Sequence, residues 1–87
     1  MESRVAVMGI IVDDHDAVGP LNAVLHEYAS YVIGRMGVPY RKRDVSVISV
    51  ALDGPQDVIS ALAGKVGNIA GVSVKTAYSN LISHDTE

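Results

Sequence analysis

The chain has 87 residues, enough for one domain that would bury about 60–65 % of its unfolded surface. Seven basic and ten acidic side chains give a net charge of −3, which disfavours direct nucleic-acid binding. The absence of cysteine excludes disulfides, iron–sulfur clusters and thiolate zinc sites. Apolar residues make up 48 % of the chain and charged residues 20 %, which favours burial against further copies, so we expect a homo-oligomer, either a dimer or a tetramer.

The first strand is predicted at residues 4–12, where nearly every position is apolar, as in a central strand covered on both faces. A helix follows, because apolar residues recur there at three- and four-residue spacing. These residues are Val18, Leu21, Val24, Leu25 and Tyr28. We expect this helix to end before Gly34 and the second strand to lie around residues 31–38.

A charged hairpin is predicted at residues 39–44, leading into a third strand at residues 45–52. The second helix is predicted to open at Gly54 and Pro55, with the proline at its first position, and to end at Gly67. The fourth strand, at residues 72–77, alternates apolar and polar residues, which is typical of an edge strand with one polar face.

The chain is an internal repeat, because residues forty positions apart match. Val5, Val7, Ile10, Val12, Asp13 and Val18 align with Val45, Val47, Val50, Leu52, Asp53 and Val58. Two strand–helix–strand units predict an α+β, ferredoxin-like βαββαβ sandwich, with a four-stranded antiparallel sheet and two helices on one face. We expect one domain at residues 1–78 and a C-terminal tail, open to fraying, at residues 79–87.

The helices of such a fold cover only one face of the sheet. The other face of the first and third strands carries valine, isoleucine or methionine positions without cover from the same chain. We therefore predict dimerisation through this sheet face or through a sheet edge.

Residues 61–76, together with residues 44–52 and the turn at residues 37–39, resemble a family of regulators of the iron-only hydrogenase system. The most specific part is the run Gly-Lys-x-Gly-x-Ile-x-Gly-Val-x-Val-Lys at residues 64–75. Members are single ACT-like domains similar to the regulatory domain of nickel-responsive repressors. The resemblance implies an ACT-like fold, a homo-oligomer and a regulatory role exercised through ligand or partner binding.

The glycines of this run are assigned to packing. Gly64 is expected to let the helix approach the sheet, Gly67 to cap the helix, and Gly71 to turn the chain into the fourth strand.

Nickel-responsive domains hold their metal with histidines on the second strand and a cysteine at the start of the third. Here residues 36–40 read Met-Gly-Val-Pro-Tyr and residues 44–45 read Asp-Val, so the nickel site is not carried over and no metal ligands are assigned. We expect no ribbon–helix–helix segment before the first strand, which is predicted to begin at Arg4. We expect any control of transcription to act through a partner protein.

The candidate ligand site lies where the first strand passes into the first helix, at Asp14, His15, Asp16 and Gly19. Its loop is similar to the turn where amino-acid-sensing ACT domains hold effectors against a neighbouring subunit, although glycine here precedes proline. Carboxylates beside an imidazole also suit a divalent cation. Alternatively, the acidic residues only cap the helix and complement its dipole.

No serine, histidine and acid spacing predicts a nucleophile, so the chain is expected not to be an enzyme and no cofactor is assigned. The apolar residues 5–12 are too short to cross a bilayer, which favours a cytoplasmic protein without membrane contact. We predict a regulatory and oligomerisation module with a small-molecule effector or a protein partner. A metal-responsive sensor and a purely structural oligomerisation domain are the alternatives.

Overall fold

The computed structural model describes residues 2–80 and 83–84 of the chain. The strands are β1 (Glu2–Val12), β2 (Val32–Tyr40), β3 (Val45–Gly54), β4 (Val72–Tyr78) and β5 (Ser83–His84), and the helices are α1 (Val18–Glu27) and α2 (Gln56–Gly67). Short 3-10 turns at His15–Ala17 and Ala29–Tyr31 flank α1. Up to β4 the order is βαββαβ, as predicted, and β5 is an additional short strand.

The sheet has the order β2–β3–β1–β4, and every neighbouring pair is antiparallel. The predicted α+β, ferredoxin-like fold is therefore confirmed. The short β5 pairs with β1 at Glu2 and Ser3. The predicted tail is described at residues 79–80 and 83–84, whereas residues 81, 82 and 85–87 lie outside the described residues, and the division at residue 78 stays a prediction.

Three element boundaries differ from the predicted ones. Pro39 lies in β2 and not in the hairpin, because an edge strand tolerates a missing N–H donor. Gly54 ends β3 and lies under the ring of Tyr31, where a Cβ would approach Cδ1 to 2.8 Å. Pro55 is consequently the N-cap of α2 and not its first helical residue.

The covered face is the face of the sheet on which both helices pack. The buried side chains of β1 on this face are Ala6, Met8, Ile10 and Val12. Ile48, Val50 and Leu52 of β3 lie beside them, and α1 and α2 add Leu21, Leu25, Ile59, Leu62 and Val66. This cluster is the hydrophobic core.

The opposite face, here named the open face, carries the alternate residues of the same strands. Its large apolar side chains are 45–68 % exposed: Val5, Val7, Ile11, Met36, Val38, Tyr40 and Val47. No described element packs on it. For the part of the chain that the structure describes, the prediction that one sheet face lacks cover from the same chain is therefore confirmed.

Two glycines near the end of α2 have different environments. A Cβ on Gly67 would lie 3.3 Å from Cγ1 of Val74, so this glycine allows the helix to approach β4. A Cβ on Gly64 would meet nothing within 4 Å. The close approach assigned to Gly64 was therefore wrong and belongs to Gly67, because Gly64 lies away from the sheet.

A polar contact joins the two helices at the surface. Lys65 of α2 donates a hydrogen bond to the carboxylate of Glu27 on α1, with 2.9 Å between Nζ and Oε2. Its ammonium group also lies 5.1 Å from the ring centroid of Tyr28. The hydrogen bond to Glu27, followed by the contact with Tyr28, raises the pKa of Lys65.

Candidate functional site

The predicted site lies at the end of the molecule where β1 leads into α1. The β2–β3 hairpin reaches the same end, because β3 lies between β2 and β1 in the sheet. A cavity of about 150 Å³, here named the loop cavity, opens between the two segments. It is lined by Val12, Asp14, His15, Val18, Pro39, Tyr40, Arg41, Asp44, Val45 and Ser46.

Local hydrogen bonds determine the shape of the loop after β1. The carboxylate of Asp14 accepts a hydrogen bond from the backbone N–H of Asp16 at 3.0 Å, which caps the 3-10 turn. The backbone N–H of Asp13 donates to the carbonyl oxygen of Gly71 at 2.8 Å. Asp14 therefore caps the 3-10 turn that leads into α1, whereas the N-cap of α1 itself is Ala17, which makes no side-chain cap.

Gly71 supports this loop from the far side. Its φ of +84° lies in the left-handed region, and a Cβ there would lie 2.5 Å from Cβ of Asp14. Gly71 turns the chain into β4, as predicted, and it also leaves room for the loop of the candidate site.

One side-chain contact links the loop to the hairpin. Nε2 of His15 lies 3.1 Å from Oδ1 of Asp44, and the two side chains are 84 % and 80 % exposed. An exposed pair of this kind contributes little to folding stability. Its effect is to place the imidazole and the carboxylate together at the rim of the loop cavity.

The structure brings together only part of the predicted site. Asp14 and His15 line the loop cavity. Asp16 contributes its backbone N–H to the turn, and Gly19 lies on α1 with open space around it, so neither residue lines the cavity.

The hairpin also contributes Tyr40, Arg41 and Asp44 to this cavity, and none of these three residues was predicted to belong to the site. The sheet order was the available signal, because it places the hairpin beside the end of β1. No local pattern marks Asp44, which lies 29 residues from its partner His15.

The loop cavity combines opposite charges with an apolar wall. Asp14 and Asp44 supply carboxylates, Arg41 supplies a guanidinium, and Val12 and Val18 supply apolar surface. Within residues 2–80 and 83–84, no three His, Cys, Asp or Glu side chains converge as a metal site would require. The arrangement suits hydrogen bonding to a small polar molecule.

Comparison with known proteins identifies relatives of the chain. Residues 4–76 match a family described as "TM1266-like: Iron-only hydrogenase system regulator, putative". The solved structure of the uncharacterized protein TM1266 from Thermotoga maritima is similar, with 35 % sequence identity and a TM-score of 0.84. The similarity covers 87 % of this chain and 96 % of that chain. No curated protein matches the chain.

A second similar structure shows the fold alone. It is a formyltetrahydrofolate deformylase from Pseudomonas putida, with 17 % identity and a TM-score of 0.62. The similarity covers 88 % of this chain and 29 % of the deformylase chain. Neither described helix is long and apolar enough to cross a membrane.

Proposed function

The chain belongs to the TM1266-like family, described as regulators of the iron-only hydrogenase system, and from this premise we propose that it works as a non-enzymatic, homo-oligomeric regulatory module. The family match confirms the resemblance seen at residues 64–75. In this proposal two or more copies associate through the open face. A cytoplasmic location and action through a protein partner, without direct nucleic-acid contact, complete the proposal.

The observation that carries the proposal is the apolar character of the open face. Met36 is 68 % exposed and Val38 is 55 % exposed, while Val7 and Val47 are near half exposure. Each such side chain left in water forfeits part of the roughly 1.5–3 kcal/mol that its full burial would supply. A contiguous patch of this kind supports an interface.

The charges of the open face favour a second copy of the chain as the occupant. The strand register places Lys75 and Asp53 on this face, and their charges sum to zero although the whole chain carries −3. A symmetric dimer places each patch against itself, which is tolerated only where the patch has little net charge. A standard interface of about 800 Å² per partner would remove about one seventh of the 5734 Å² accessible surface.

The centre of the open face has a depression that suits such packing. Gly9 has no side chain, and a groove of about 330 Å³ lies over it between Ile11, Val47 and Lys75. The walls are mostly apolar, so an aliphatic side chain from a second copy would fill it. This fit supports association face to face.

The free edge of β2 is less suited to pairing with another strand. A bulge interrupts its register between Val32 and Gly34, and Pro39 has no N–H to donate. Both features are used in natural sheets to discourage edge pairing. We therefore place the interface on the open face and not on this edge.

The association is tested by multi-angle light scattering on three proteins at micromolar concentration. The wild type is expected as a dimer or tetramer, and Val47→Lys is expected as a monomer because it places a charge in the apolar patch. Ala61→Lys adds the same charge on the solvent-exposed side of α2 and should keep the oligomer. A monomeric wild type, or an oligomer unchanged by Val47→Lys, would refute the proposed interface.

The loop cavity is the proposed effector site of this module. Asp14 and His15 present hydrogen-bonding groups to it, while Asp16 and Gly19 form the start of the helix beside it. Thermal-shift measurements against amino acids and nucleotides test this part. We expect stabilisation by at least one compound, and its loss in Asp14→Ala but not in Asp57→Ala, which removes an acid from the first turn of α2. No stabilisation by any compound would favour the purely structural oligomerisation domain.

A further inference from the structure

A second cavity lies on the covered side of the sheet, between α1 and the edge strand β2. It has a volume of about 340 Å³ and is separate from the loop cavity. Its lining residues are Asn22, Leu25, His26, Ala29, Val32, Arg35 and Val50. It is named the edge cavity below.

The position of α1 creates this cavity. Leu25 of α1 and Val50 of β3 belong to the same core cluster and both line the cavity, whereas the edge strand β2 is mostly exposed. Asn22 and His26 are four residues apart and share the side of α1 that faces β2, and Ala29 lies in the 3-10 turn that follows the helix. The space between helix and strand is left without a side chain to fill it.

The edge cavity has an apolar floor and a cationic rim. Leu25 is 4 % exposed and Val50 is fully buried at its base, with Val32 and Ala29 beside them. The polar groups at the rim are the Arg35 guanidinium, the His26 imidazole and the Asn22 amide. None of the described lining residues is acidic, in contrast to the loop cavity.

Arg35 is oriented at this rim. Its Nη1 donates a hydrogen bond of 3.2 Å to Oδ1 of Asn22 on α1. Among the residues that the structure describes, no carboxylate pairs with this guanidinium. A guanidinium has five N–H donors in a planar fork, so one bond to Asn22 leaves enough donors for a carboxylate held by two parallel bonds.

From these features we propose that the edge cavity binds a small monocarboxylic acid with an apolar body. The carboxylate pairs with Arg35 and accepts a further hydrogen bond from Asn22 or His26, while the apolar body contacts Leu25 and Val50. The volume lies at the low end of the range for small-molecule sites, which fits a compact acid of this kind. The site opens on the covered side of the sheet, so association through the open face leaves it accessible.

The proposal is tested by titrating ¹⁵N-labelled protein with benzoate and with benzamide, its uncharged analogue. We expect benzoate to shift the backbone amides of Asn22, His26 and Arg35, with a Kd of about 1 mM or tighter. Benzamide is expected to bind at least about tenfold more weakly, because it cannot pair with a guanidinium. The amides of His15 and Asp44 should not move.

Three variants make the test specific. Arg35→Gln removes the cation and should weaken benzoate binding about tenfold or more, whereas Arg43→Gln in the exposed hairpin should leave the Kd within about twofold. Ala29→Leu fills the cavity and should abolish binding with Arg35 still present. The same spectra report whether each variant is folded.

Equal affinity for benzoate and benzamide would overturn the proposal, as would binding unchanged by Arg35→Gln. The absence of any shift at these residues, or shifts confined to the loop cavity, would also overturn it. None of these outcomes bears on association through the open face, so the two proposals fail separately.

Discussion

The two faces of the sheet are built from the same strands and nearly the same residue types, yet their environments are opposite. Along β3, Val50 on the covered face is fully buried, whereas Val47 on the open face is 47 % exposed. The difference comes from which side the two helices pack on and not from the residues themselves. An apolar residue in a strand of this chain therefore favours burial, but it does not show whether the helices of the same chain or another molecule bury it.

The largest expected effect is a difference in folding stability between the same substitution on the covered face and on the open face. Val50→Ala leaves a cavity under α1 and should lower the free energy of unfolding by about 2–3 kcal/mol. Val47→Ala, the same change on the same strand, should cost about 0.5 kcal/mol or less in the isolated subunit, because its methyl groups are already in contact with water.

Chemical denaturation over a range of protein concentrations measures both the stability of the isolated subunit and the contribution of association. Val50→Ala should lower stability at every concentration, and Val47→Ala should mainly reduce the dependence on concentration, since it weakens association. Equal losses in the two variants at low concentration would contradict the difference between the faces.

The next effect concerns Gly71, in the turn before β4, which supports the loop beside the loop cavity. Gly71→Ala places a Cβ 2.5 Å from that of Asp14 at a φ of +84°, and we expect a loss of about 1–3 kcal/mol. Thermal unfolding measures it. Gly19→Ala is the control, because it lies on α1 in open space and should not destabilise the fold. Full stability of Gly71→Ala would show that the loop does not pack on this glycine.

A smaller effect tests how tightly α2 packs on the covered face. Gly64→Ala should stabilise the protein by about 0.5–1 kcal/mol, since alanine is the better helix former and the site is open. Gly67→Ala changes the last residue of α2, where alanine gains less, and it brings a Cβ to 3.3 Å from Val74, so it should be the less stable of the two variants. If both variants gain equally, the contact between α2 and β4 is looser than described.

The smallest effect belongs to the surface pair of Lys65 and Glu27. The folded state raises the pKa of Lys65, so its contribution is present below the unfolded-state pKa of about 10.4 and is lost as the pH rises through the folded-state pKa. Glu27→Gln should lower Tm by no more than a few degrees at neutral pH, and the difference from wild type should vanish at higher pH. A difference that grows between pH 9 and 11, roughly the range of the lysine titration, would reverse this assignment.

The fold was predictable from the sequence because its signals are local. Alternation in residues 72–77 indicated an edge strand, and the spacing of Leu21 and Leu25 indicated a helix with one buried side. The repeat then determined the order of the elements. In β1, however, apolar residues occupy both faces, so the pattern could not say which residues the helices cover.

The sites were less predictable because they depend on contacts between distant segments. Asp14 and His15 were identified from the loop that contains them, but Asp44 and Arg41 join them only through the sheet order. In the sequence Arg35 is an ordinary strand residue, and its role at the edge cavity follows only from its hydrogen bond to Asn22 on α1. Glycine packing was similarly ambiguous, since Gly64 and Gly67 are only three residues apart on α2, and the position of β4 alone shows that a Cβ at Gly67 would meet Val74.

The most direct test of the open face is an isotope-filtered NOE experiment on a mixture of labelled and unlabelled protein. We expect intermolecular NOEs between the methyl groups of Val47, Ile11 and Val7 in one copy and the open face of the other. An oligomer that shows such NOEs only from residues of the helices, or only from the free edge of β2, would rule out association through the open face.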